Sequence, residues 1–217
     1  PQLFSNENLE TFPSFSPDGK SLYFCSAPTK PMPESYRDIK YNLLRVSFDA
    51  KTRTIGTDVD TLYHAEKEGR SVRFPRVSPD GRYLMYALSD YGNFSIWHKD
   101  ADIHLLDLET GLTDTMPSVN SNDVDSYHSW SSNGRWFVFS SRRQDGLYTR
   151  PYLVHFNEQG QMSKPFLLPQ EHPDYYTLSL FSFNIPELVK NEIEVDTYEL
   201  VKTSKFGKPT PTSMRKP

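Results

Sequence analysis

The sequence predicts an all-β chain of four-stranded antiparallel blades, about three of them, arranged as part of a β-propeller. Three observations predict it. One phrase is written three times: Pro13-Ser14-Phe15-Ser16-Pro17-Asp18-Gly19-Lys20, Pro75-Arg76-Val77-Ser78-Pro79-Asp80-Gly81-Arg82, and a looser His128-Ser129-Trp130-Ser131-Ser132-Asn133-Gly134-Arg135. An apolar stretch follows each copy: Leu22-Tyr23-Phe24, Leu84-Met85-Tyr86 and Phe137-Val138-Phe139. The spacing is 62 residues from Asp18 to Asp80 and 53 from Asp80 to Asn133, the length of a four-stranded blade carrying a longer loop.

The elements follow in order. A first strand ends at Phe15, Val77 or Trp130. The chain then reverses: proline pre-sets φ at the first corner, Asp or Asn bonds its own backbone, and glycine takes the positive φ that other residues resist. Asp-Gly or Asn-Gly between apolar runs is a strong hairpin signal, so a second strand returns at once. Polar loops at 27–36, 89–93 and 140–148 lead to third strands at 41–48, 103–108 and 152–156. Turns at Asp49-Ala50-Lys51-Thr52, Glu109-Thr110-Gly111 and Asn157-Glu158-Gln159-Gly160 lead to polar fourth strands at 58–63, 112–116 and 164–168. Blades are thus expected at 11–64, 65–117 and 118–170. Residues 1–10, with Gln2-Leu3-Phe4-Ser5 as a strand, read as the outer strand of a preceding blade or an N-terminal extension. Residues 171–190 read as a partial further blade, with an inner strand at 177–185 and a helical turn at Pro186-Glu187-Leu188-Val189-Lys190. In 191–217, the alternation of Glu192-Ile193-Glu194-Val195-Asp196-Thr197-Tyr198 suggests an edge strand, and the basic, proline-rich 205–217 an extended or mobile end.

The Pro-x-apolar-Ser-Pro-Asp-Gly-Lys/Arg phrase resembles the WD-like repeat of TolB-type β-propellers. The third repeat is the most specific. Its Trp130 to Trp136 stretch, Ser140-Ser141-Arg142-Arg143-Gln144-Asp145-Gly146-Leu147-Tyr148-Thr149-Arg150 and Lys164-Pro165-Phe166-Leu167-Leu168-Pro169-Gln170 resemble a TolB-like group of Bacteroidetes-type bacteria. Phe183-Asn184-Ile185-Pro186-Glu187 fits that group too, so the resemblance spans roughly residues 11–188. It implies a six-bladed ring, a periplasmic or envelope location (a lipoprotein in a full-length form) and a protein-binding, scaffolding role. It supplies no catalytic residues.

Three blades do not close a ring, since propellers hold about four to eight. Three completions are open: this chain is the C-terminal half of a longer protein, two copies pair into one ring, or the tail covers the open face. The first is the expectation, supported by the strand-like Gln2-Leu3-Phe4-Ser5 just before the first repeat, and a start at Pro1 without methionine reads as a processed product or a fragment. The 217 residues suffice for one domain with a core, and aromatics at 14% suit blades packed face to face. A net charge of −4 with both signs interspersed disfavours nucleic acid. No apolar run approaches the ~20 residues of a membrane span. The single Cys25 excludes an internal disulfide and a cysteine-rich zinc site.

The search for chemistry yields a chain expected to have no enzymatic activity and no cofactor. Neither a Gly-x-Ser-x-Gly nucleophile elbow nor a phosphate loop nor a His-Glu-x-x-His metal motif is present. Two enzyme readings stay as alternatives. One is the propeller portion of a prolyl oligopeptidase-type peptidase, whose hydrolase domain is not in these residues. The other is a carbohydrate lyase or hydrolase using convergent propeller histidines, by analogy with oligogalacturonate lyases. His128, standing where the other repeats have Pro13 and Pro75, is placed near the inner strand as a channel residue or a structural one. Asn122, Asp123 and Asp125 read as a solvated turn rather than a calcium loop, as they lack the glycine and distal glutamate of an EF-hand. Arg142, Arg143, Asp145, Tyr148 and Arg150 form the densest charged and aromatic group, either a partner surface or a staple between blades. Arg76 is a second candidate for the channel mouth. The expected partner is a protein or peptide, bound through blade loops and the channel mouth.

Overall fold

In the computed structural model, which describes residues 7–92 and 94–211, the strands form three four-stranded antiparallel sheets. The first holds β1 (Asn8–Phe15), β2 (Ser21–Pro28), β3 (Asn42–Asp49) and β4 (Thr54–Tyr63). The second holds β5 (Ser71–Val77), β6 (Tyr83–Ser89), β7 (Asp102–Asp107) and β8 (Thr113–Asp114). The third holds β9 (Asp125–Trp130), β10 (Trp136–Ser141), β11 (Arg150–His155) and β12 (Phe166–Leu167). Each sheet is a meander in chain order, the hand of a blade. The expected strand Gln2-Leu3-Phe4-Ser5 lies outside the described residues.

The three turns share one hydrogen-bond pattern. In the first, the Gly19 N–H donates to the Ser16 carbonyl at 2.9 Å, Ser16 Oγ donates to Asp18 Oδ1 at 2.6 Å, and the Lys20 N–H donates to the same carboxylate at 3.0 Å. The Ser21 N–H then donates back to Ser16 Oγ at 2.9 Å. Ser78 with Asp80 and Ser131 with Asn133 repeat every one of these contacts. Gly19, Gly81 and Gly134 all take positive φ, at 68°, 81° and 67°. The leading serine is therefore as much a part of the turn as the aspartate, because its hydroxyl accepts the N–H that opens the next strand.

The core lies between the sheets. Tyr23, Cys25 and Leu43 of the first meet Val72, Leu84 and Tyr86 of the second. Met85, Ile103 and Leu105 of the second meet Trp130, Phe137 and Phe139 of the third. β6 is thus buried on both faces, which explains why its residues read as a continuous apolar run rather than an alternation. Burial pushes the Cys25 thiol well above its ordinary range, despite the nearby Arg73 charge, so it is a packed side chain and no nucleophile.

The tail departs from expectation. Residues 177–185 form no strand; the stretch opens in a one-turn helix, α1 (Tyr175–Leu178). The helical turn expected at 186–190 is absent, and the edge strand expected at 192–198 is replaced by the approach to a helix, α2 (Thr197–Phe206). Alternation alone makes a strand only where a free sheet edge accepts it. Here Asp196 caps instead, its carboxylate accepting the Tyr198 N–H at 2.8 Å. Lys205 and Phe206 belong to that helix, not to an extended end. The segment before it crosses the outward face of the third sheet: the Phe183 N–H donates to the Thr149 carbonyl at 3.0 Å, and Leu188 and Val189 approach Trp136, Leu153 and Phe166 around a groove of about 360 Å³.

Candidate binding cleft

Every first strand breaks register at the same place: between Thr11 and Ser14, between Arg73 and Arg76, and between Ser126 and Ser129. Each break is a bulge, and within each an aromatic residue takes a left-handed backbone: Phe12, Phe74 and Tyr127, all at φ 53°. Such a backbone costs roughly 1–3 kcal/mol per bulky residue. What the bulge achieves is direction. It turns each ring toward its counterpart in the next blade, so Phe12 meets Phe74 at 4.2 Å and Phe74 meets Tyr127 at 4.5 Å between centroids. Phe94 adds an edge at 6.3 Å from Phe12.

This row walls a cleft of about 240 Å³ where the first strands converge. Arg76 and His128 complete the wall, and Asn184, Ile185 and Glu187 of the tail stand in it. The indole of Trp130 donates to the Arg76 carbonyl at 3.1 Å and fixes the backbone beneath that guanidinium. His128 is 2% exposed, and burial holds its pKa down to about 4. The backbone carbonyls of Met85 and Phe74 pull weakly the other way and the Arg76 charge reinforces the depression, but neither ring nitrogen meets hydrogen-bond geometry with a described residue. It is a neutral imidazole at neutral pH. Behind the row, the fully buried Arg73 donates to Ser89 Oγ and to the Tyr91 and Gly92 carbonyls, tying down the loop beside Phe94.

The other sequence candidates gather elsewhere. Arg142 donates to the Gly146 carbonyl and lies 4.2 Å over the Trp97 ring. Arg143 donates to the Val119 carbonyl at 2.7 Å and to the buried Asp125 carboxylate at 2.6 Å. Asp145 accepts the Leu147 and Tyr148 N–H groups at 2.8 Å each. Burial works to raise the Asp145 pKa, but those N–H groups and the neighbouring arginines outweigh it and hold the carboxyl below its usual range. Arg150, 1% exposed, sits 5.0 Å over the Tyr148 ring and donates to the carbonyls of Tyr176, Ser179 and Phe181. The Arg142, Arg143, Asp145 and Arg150 side chains are directed at the protein's own backbone, and the Tyr148 ring lies under Arg150. Arg76 and His128 are separate from them and share the cleft. Among the described residues no group of three or more His, Cys, Asp or Glu is placed to hold a metal ion, and Asp125 is committed to Arg143 and Ser121.

The aromatic row was missed by the motif reading, although its signal is in the sequence. Phe12, Phe74 and Tyr127 each stand one residue before the repeated phrase. Ile185 and Glu187 carry no comparable signal as cleft residues, because only the path of the tail brings them there.

No protein-family model matches this chain, and no curated protein matches it. Solved structures do. Puromycin hydrolase is 16% identical, with a TM-score of 0.50, over 75% of this chain and 24% of that one. The β-propeller domain of the Trilobed protease from Pyrococcus furiosus is 16% identical, with a TM-score of 0.44, over 77% of this chain and 45% of that one. Oligogalacturonate lyase in complex with manganese is 14% identical, with a TM-score of 0.41, over 71% and 37%. The chain thus spans about a quarter of the puromycin hydrolase chain and under half of the propeller domain it matches. One expectation is overturned. The chain was expected to be no enzyme, with the propeller portion of a peptidase only as an alternative, yet the same blade arrangement occurs within puromycin hydrolase. The absence of a nucleophile in one arc of blades is silent about a protein whose chemistry sits on another part. At the level of fold, the described residues form three four-stranded β-propeller blades.

Proposed function

We propose that this arc is the recognition portion of a larger protein and that its cleft holds an extended peptide. The observation that carries this reading is the aromatic row Phe12, Phe74 and Tyr127, maintained by three strained bulges. Strain repeated at one site persists where the surroundings enforce it, and it concentrates at functional positions. Rigid rings beside one arginine suit a peptide, offering apolar area at low entropic cost and a single charged anchor. The larger protein is proposed to be a hydrolase of the prolyl oligopeptidase type, with blades beyond this arc completing a ring of about six. An envelope location rests on the TolB-type resemblance of the repeats alone.

The test is a fluorescence titration of labelled hexapeptides and of a neutral oligosaccharide against this chain and its Phe74→Ala variant. Peptide binding in the micromolar range that weakens at least about tenfold in the variant, or about 1.4 kcal/mol, supports the reading. Binding of the oligosaccharide and of no peptide would replace it with the carbohydrate reading.

A further inference from the structure

The tail already shows what the cleft accepts. Its path is pinned as far as Asn184: Arg150 holds the Tyr176, Ser179 and Phe181 carbonyls, and the buried Ser140 hydroxyl lies 3.1 Å from the Phe183 carbonyl and 2.5 Å from that of Asn184. Beyond this staple, Ile185 and Glu187 line the cleft together with the aromatic row. Pro186 between them fixes φ and offers no N–H, which keeps the segment extended. The Glu187 carboxylate lies 3.9 Å from the Arg76 guanidinium. Both groups are largely in water, at 60% and 41% exposure, and such a pair contributes little. Ile185 is itself 59% exposed. A firmly held stem thus carries a loosely held tip.

We propose that Ile185-Pro186-Glu187 is a built-in occupant of the cleft, which a peptide of like chemistry displaces. That peptide carries an apolar side chain for the aromatic wall and, two residues on, a carboxylate for Arg76. The proposal deepens the peptide-binding reading and rests on it. A tethered segment competes at an effective concentration near millimolar for a short linker, so an incoming peptide has to displace the tip from the cleft wall. Loosening the tip raises apparent affinity by the fraction of open cleft gained.

The probe is a labelled, end-blocked peptide Phe-Asn-Ile-Pro-Glu-Leu, copying residues 183–188, beside a version with Gln for Glu. It is titrated against the full chain, the exposed-tip variant Ile185→Asp, and Arg76→Gln. The expected result is binding at least about tenfold tighter to Ile185→Asp than to the full chain. The preference for Glu over Gln should vanish in Arg76→Gln. On the unaltered protein, saturating peptide should also raise the backbone mobility of Ile185 and Glu187 read by NMR relaxation, a readout independent of any variant. Equal binding by the full chain and Ile185→Asp, with that mobility unchanged, would leave the cleft a peptide site and overturn the tethered occupant. Binding by none of the three chains would overturn both.

Discussion

At the scale of single residues, the glycine and the serine of the repeated turn act by different physics. Gly81 has open space around the position of a β-carbon, so its requirement is conformational: φ is 81°. Gly81→Val should lower stability by about 1–3 kcal/mol through backbone strain alone. A thermal midpoint identical to that of the parent would show that the turn relaxes into another type. The buried histidines set a pH window. Burial chiefly holds both His104 and His128 down to about 4. An unfolded histidine titrates near 6.5. Above that value folded and unfolded chains are both neutral at these sites, and the stability is full. Between about 6.5 and 4 the unfolded chain takes up protons that the folded chain refuses, so stability falls with pH and then levels. The loss near pH 4.5 should be about 2 kcal/mol per histidine. Urea midpoints at pH 7 and 4.5 check this: His128→Leu should be markedly less acid-sensitive, and an unaltered pH slope would count against a neutral buried imidazole.

At the scale of elements, the first three strands of each sheet were legible because turn chemistry and apolar periodicity agree there. Two of the fourth strands were over-read, while β4, expected from residue 58, starts already at Thr54. β8 and β12 shrink to two residues each. Pro165 has no N–H to give a ladder, and Met116 turns to φ 52°, so neither stretch continues. The tail was misread for the converse reason: its pattern offers a strand, but the third sheet receives it through side chains instead. Arg150 is the main receiver. Arg150→Ala would leave three carbonyls without a donor, each worth about 1–3 kcal/mol when buried. Limited proteolysis of that variant should cut within 171–190 under conditions where the sheets resist. Arg150→Lys should not rescue it, since one ammonium cannot span carbonyls that a planar fork reaches together. A cleavage pattern like the parent's would mean the tail is held by its other contacts.

At the scale of the whole molecule, the sequence identified the repeating unit and left the site half visible. Arg76 and His128 were singled out, and both line the cleft; the rings between them were passed over because aromatic residues in a β-chain read first as core. The partners those rings face come from three blades, and no single-repeat pattern encodes an interblade contact. Shape also explains which edges are safe. Two of the fourth strands are two residues long, too short to template pairing. β4 runs ten residues and is mostly exposed. It breaks register twice against β3 and carries Asp58 and Asp60, the latter bonded by Arg45 at 2.7 Å. Those bulges and carboxylates blunt the one long open edge among the described strands against stacking on another copy. The first blade's rim is therefore where this molecule is nearest to self-association, and a change that neutralised Asp58 and Asp60 together would be felt as aggregation before it was felt as unfolding.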